Sequence, residues 1–142
     1  MADNRFQYHI GFGEDPKALN EIESFLRSVS CGAEVVFQGV VRNDNLDGND
    51  QVQFIFYEGI EGMIEPEVKK IACALHEQFH IQRFYFYHIL GQVKVGESSI
   101  WIGISGGHRK EVFEALQVAM DQIKTTVPIF KKEMGIHHQQ WK

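Results

Sequence analysis

Apolar and polar positions alternate through "RFQYHIGF", which predicts an opening strand. The next segment, "EDPKALNEIESFLRSV", changes period: Leu19, Ile22, Phe25, Leu26 and Val29 recur every three or four residues, and Asp15 and Pro16 stand where a helix cap and first turn belong. "CGAEVVFQGVVR" reads as a buried strand, the polar "NDNLDGND" as the loop of a flexible hairpin, and "QVQFIFYE" as the returning strand with Val52, Phe54 and Phe56 on one side. Helical spacing returns over residues 63–79, where Val68, Ile71, Leu75 and Phe79 share a face and Pro66 is tolerable in the first turn. Two strands follow, "IQRFYFYHILG" and "SSIWIGIS", separated by "QVKVGE". "GGHRKEVFEALQVAMDQIK" then predicts a third helix with Val112, Phe113, Leu116, Ala119, Met120 and Ile123 on its buried stripe. Pro128 makes Val127 a poor helical residue and ends it.

The resulting order, β-α-β-β-α-β-β-α plus a tail, predicts an α+β fold in which helices cover a mainly antiparallel sheet. The 142 residues fit one domain, 1–142, without repeats or linkers to divide it. No apolar run approaches the ~20 residues of a membrane-spanning helix. The beginning, "MADNRFQYHIGFGEDP", has no basic segment followed by an apolar one, so no secretory signal is expected and the cytoplasm is the expected compartment. Cys31 and Cys73 lack a CxxC partner, which fits reduced structural thiols. A net charge of −5 argues against broad electrostatic binding to nucleic acid, so any anion site has to be local.

Four stretches carry candidate chemistry. "HEQFH", His76 to His80, matches the HExxH pattern of zinc proteases, but it closes a predicted helix beside core residues and no identifiable downstream ligand completes a site. His137 and His138 in the tail could supply a ligand only by special pleading, and no metal site is expected. "SGGHRKE" puts His108 and Arg109 at a helix start, where free N–H groups and the helix dipole favour phosphate; a plain glycine turn with two exposed polar residues has the same pattern. "FQGVVRNDN" delivers Arg42 at a strand end, as an anion contact or as half of a surface ion pair. "IKTTVPIFKKE" sets Lys124, Lys131 and Lys132 around an apolar Val127, Pro128, Ile129, Phe130 wall, either as solvated lysines or as the rim of an anion pocket.

Together and in order, "GAEVVFQGVVRNDN", "YEGIEGM", "GGHRKEVFEALQVAMDQIKTTVPIFKKE" and Trp141 resemble the MoaE family, the large catalytic subunits of molybdopterin synthase. The resemblance covers most of the chain. It implies an α/β-hammerhead fold and a homodimer within a heterotetramer, with a small ubiquitin-like sulfur carrier of the MoaD type at each end. The implied reaction converts cyclic pyranopterin monophosphate to molybdopterin, two sulfurs coming from thiocarboxylates at the carrier's Gly-Gly terminus, with no cofactor, nucleic acid or membrane involved. The resemblance assigns catalysis to Lys124 and Lys131. Substrate contacts are assigned to Val40, Val41, Arg42, His108, Arg109, Lys124, Lys131, Lys132 and Glu133. If residues 109–124 form one helix, its ends lie roughly 24 Å apart at ~1.5 Å per residue, too far to grip one small pterin. A pocket shared across the dimer is therefore expected. The alternative is a non-catalytic α+β module that binds a phosphorylated metabolite or a protein through the same basic rim.

Overall fold

A computed structural model describes residues 6–44, 51–135 and 139–141. The chain forms β1 (Gln7–Gly13), α1 (Leu19–Leu26), β2 (Ala33–Val40), β3 (Val52–Gly59), α2 (Glu61–Phe79), β4 (Arg83–Ile89), β5 (Gly91–Lys94), β6 (Ser98–Gly106), α3 (Arg109–Thr126), β7 (Ile129–Gly135) and β8 (Gln139–Trp141). The fold is α+β. Its strands divide into two four-stranded sheets, ordered β1-β4-β6-β2 and β5-β3-β7-β8, rather than one. Among the described residues every strand pair is antiparallel except β1 with β4, which α1, β2, β3 and α2 separate in sequence.

The central strands β4 and β6 are buried almost throughout, because both faces of the first sheet are covered. On one face Phe84, Phe86, Ile102 and Ile104 pack with the apolar stripes of α2 and α3. On the other, Tyr85, Tyr87 and Trp101 pack with Ile22 and Leu26 of α1 and with Ile55, Tyr57 and Val93 of the second sheet. Gly103 permits α1 to lie directly on β6: a Cβ there would meet the Leu26 side chain at 2.8 Å and Ile22 at 3.1 Å.

Several boundaries differ from the sequence reading. Helix α1 starts at Leu19 with Ala18 at its cap, so Asp15 and Pro16 precede the helix; Val29 lies beyond its end and is exposed. The α3 stripe is narrower than expected. Val112, Ala115, Ala119 and Ile123 are buried, the two alanines allowing close approach, while Phe113 points to solvent. An irregularity between Val52 and Phe54 switches the faces of β3, so the buried residues are Val52, Ile55 and Tyr57, and Phe56 is exposed. Strands β2 and β3 do not pair as a hairpin, since β2 joins β6 and β3 joins β5 and β7. Most of the loop between them, residues 45–50, lies outside the described residues, as do His137 and His138. The short β5 sits in the stretch read as a connector, its ends turned by Gly91 and Gly96 at φ 123° and 89°, values open to glycine. The stretch read as a tail is β7 and β8.

Candidate functional site

Two glycines and His108 turn the chain from β6 into α3, which packs back over β6 and β2. His108 is the cap residue, extended at φ −137° and ψ 150°, and its side chain makes no capping bond. Its imidazole and the Arg109 guanidinium are both exposed at this end, beside the first N–H groups of the helix.

Helix α3 runs 18 residues without interruption and ends where the sequence requires. The Val127 N–H donates to the Ile123 carbonyl at 3.2 Å, and the Pro128 carbonyl accepts from the Ile60 N–H at 3.1 Å. Lys124 is exposed in the last turn, where a cation complements the helix dipole. The chain then enters β7, and strand alternation separates the next two lysines. Lys131 pairs with Tyr57 and Glu133 with Ile55, so these four share the inner face; Glu133 is buried and Lys131 half-buried. Lys132 pairs with Phe56 and Trp141 on the outer face, its ammonium 5.4 Å from the centre of the Trp141 ring. Adjacent in sequence, Lys131 and Lys132 address different surroundings.

Val40, Val41 and Arg42 reach this same end of the first sheet, because Val40 pairs with Ser98 at the start of β6 whereas Ala33 pairs with Gly106 beside the start of α3. Val40 is exposed. Val41 is buried and held on both sides, its N–H donating to Glu97 at 3.0 Å and its carbonyl accepting from Gly96 at 2.8 Å. Arg42 projects outward and forms a surface pair with Asp44 at 3.2 Å, weak enough for an incoming anion to replace. Residues 40–42 thus lie at the start of β6, the end of the first sheet toward which α3 carries Lys124. Lys131 stands on β7 of the second sheet beside Tyr57, whose hydroxyl reaches Ser99 of β6, and His108 and Arg109 lie at the other end of the first sheet.

Behind Lys131 is a buried polar group to which the sequence reading gave no role. The Tyr57 hydroxyl donates to the Ser99 hydroxyl at 3.2 Å, and Ser99 donates to the Gly39 carbonyl at 3.4 Å. The His88 ring lies edge-on to Tyr57 at 4.8 Å, and its Nδ1–H donates to the Ile89 carbonyl at 2.7 Å. Burial pulls the His88 pKa down to about 4, with the Lys131 charge acting in the same direction against the Ile89 bond. Burial also raises Tyr57, aided by Glu133 and opposed by the Ser99 bond. The only trace in the sequence is a lone histidine inside the apolar run "RFYFYHIL".

The "HEQFH" histidines have other employment. His76 donates from Nδ1 to the Ile81 carbonyl at 2.7 Å and stacks on Phe6 at 4.5 Å, while His80 takes the left-handed conformation at the helix end. Among the described residues no group of three His, Cys, Asp or Glu is placed to hold a metal. A cleft of about 380 Å³ lined by Glu14, Pro16, Ile89, Gln92, Val93, Glu97, Ser98 and Trp101 contains none of the lysines. The apolar wall expected around Lys124 is itself split: Val127 is buried, whereas Phe130 faces outward on β7.

Fold and site define an α+β protein of two packed sheets with a cationic corner where a helix passes into a strand, open to solvent in the single chain. The model of the family described as MoaE protein matches residues 12–126, a span that includes Lys124 and stops before Lys131. The chain belongs to the MoaE family. It is 38% identical over 137 residues to a molybdopterin synthase catalytic subunit of Drosophila erecta, covering 94% of this chain and 37% of that protein. With the Homo sapiens protein of the same description it shares 35% over 133 residues, covering 94% and 70% respectively. The chain thus spans little more than a third of the fruit-fly relatives it matches. The X-ray structure of molybdopterin synthase from Staphylococcus aureus superposes with a TM-score of 0.83 at 26% identity, covering 96% of both chains. No helix is long and apolar enough among the described residues to cross a membrane.

Proposed function

We propose that this chain, as one domain spanning 1–142, is the catalytic subunit of a molybdopterin synthase. It converts cyclic pyranopterin monophosphate to molybdopterin in the cytoplasm by transferring two sulfurs to the pterin, one from each of two thiocarboxylated C-termini of small MoaD-type carriers, each of which leaves as a carboxylate. The observation that carries the reading is the placement of Lys124 in the last turn of α3 and Lys131 on the inner face of β7, in a member of the MoaE family. A thiocarboxylate and a phosphate-bearing pterin are both anionic, and fixed cations lower the cost of bringing them together. Lys124 and Lys131 are the catalytic cations, and Val40, Val41 and Arg42 frame the substrate. Glu133 is buried on the Lys131 face of β7 and supports that lysine, while Lys132 lies on the opposite face against Trp141 and does not meet the substrate beside Lys131.

His108 and Arg109 bind the same substrate from the partner subunit of a homodimer. One continuous helix separates them from Lys124 by roughly 24 Å at ~1.5 Å per residue, and two-fold symmetry turns this separation into two equivalent shared pockets. The partner and the carrier's slim Gly-Gly end together cover Lys124 and remove water from it, which strengthens its charge.

The test is reconstitution of the purified chain with thiocarboxylated carrier and cyclic pterin, followed by dithiolene product. Wild-type protein turns over, and Lys124→Ala loses on the order of 10²–10³ in rate while keeping its fold. Wild-type protein that binds the pterin without ever yielding dithiolene would leave the non-catalytic module as the correct reading. Near-normal turnover by Lys124→Ala would remove the lysine from its role.

A further inference from the structure

The two halves of the lysine-bearing corner belong to different sheets. Lys131 lies on β7 of the second sheet, and residues 40–42 continue β2 of the first. Something has to fix one half against the other. The ladder between β2 and β6 is irregular at this point: Gly39 pairs with Ile100 and Val40 with Ser98, which leaves Ser99 as the extra residue of a bulge. A bulge re-aims its side chain. Here the buried Ser99 hydroxyl donates to the Gly39 carbonyl at 3.4 Å and accepts from the Tyr57 hydroxyl at 3.2 Å. Tyr57 is the cross-strand partner of Lys131, and its ring is braced by His88 at 4.8 Å. A buried hydroxyl pair has no water to fall back on, so its geometry is held more tightly than that of a surface contact.

We infer that Tyr57 and Ser99 are positioning residues, whose hydroxyl chain to the Gly39 carbonyl ties the strand bearing Lys131 to the arm bearing Val40, Val41 and Arg42. Neither hydroxyl touches substrate. Tyr57→Phe keeps the ring against His88 and deletes the tie from one side; Ser99→Ala deletes it from the other. The inference rests on the synthase reading for its kinetic arm only.

Two measurements test it. In the reconstituted reaction each single variant loses between about 10-fold and 10²-fold in kcat, the cost of a misplaced site, and the double variant loses no more than the worse single one. Ser99→Thr, which retains a hydroxyl, recovers most of the rate. Amide exchange is read independently of turnover: in both single variants the amides of residues 40–42 exchange at least about tenfold faster, while those of α2 keep wild-type rates. Unchanged exchange at residues 40–42 in folded variants overturns the inference, whatever the activity. So does uniformly faster exchange, which marks a purely structural role, and so do kinetic losses that multiply in the double variant. Failure of the wild-type protein to form product removes the synthase reading instead and leaves the exchange result to decide the tie.

Discussion

Mixing two inactive variants should restore activity. Arg109→Ala and Lys124→Ala each remove one side chain from the chemistry, and residues 109–124 lie in one uninterrupted helix that keeps the two roughly 24 Å apart at ~1.5 Å per residue. If each pocket takes Arg109 from one subunit and Lys124 from the other, each homodimer of either variant has two defective pockets. A mixed dimer has one pocket carrying both substitutions and one carrying neither. Free exchange at equal concentrations makes about half of all dimers mixed, so about a quarter of all pockets are intact. Each parent alone should retain on the order of 10⁻²–10⁻³ of wild-type rate, as expected for loss of one preorganised charge. The mixture should therefore rise to about a quarter of wild type, at least about 25-fold above either parent. The assay is dithiolene formation before and after incubation, with subunit exchange followed by mass spectrometry of the intact dimers. Exchange demonstrated in the absence of recovered activity refutes the shared pocket. Both exposed side chains are truncated to alanine without emptying the core, so a folding defect does not confuse the result.

Three further outcomes are expected. Lys131→Ala should not be rescued by its neighbour, because Lys132 faces Trp141 across the sheet; the variant's kcat should fall by about 10² or more, and a loss below about threefold would contradict the face assignment. Stability should depend on pH through His88: the unfolded ring takes a proton below 6.5 and the folded one not until about 4, so stability is complete above pH 6.5 and falls by about 3 kcal/mol as the pH drops to 4. His9, lowered by burial and by Lys17, adds in the same direction, and urea denaturation of His88→Asn should show a flatter pH profile over that window. Gly103→Ala should cost about 1–3 kcal/mol by forcing α1 off β6, read as a lower urea midpoint with an unchanged slope; an unchanged midpoint would contradict the packing of Leu26 and Ile22 on that glycine.

The sequence by itself determined the elements whose physics is local. The spacing of Val68, Ile71 and Leu75, the stop at Pro128 and the glycine turn before His108 are written in consecutive residues, and α2 and α3 follow from them. Resemblance along "GGHRKEVFEALQVAMDQIKTTVPIFKKE" supplied the site residues as well. What it could not carry was pairing between distant strands. Strand β5 is four residues long, β7 carries two adjacent lysines, and both take their strand character from β3, to which each is hydrogen-bonded. The division into two sheets, the irregularity that turned Phe56 outward and the bulge that turned Ser99 inward are likewise agreements between partners far apart in sequence, so no window along the chain contains them. The same holds at the site. The lysines were legible as residues, but a strand's alternation sends Lys131 inward to Tyr57 and Lys132 outward to Trp141, and that assignment exists only once β7 has found β3 and β8.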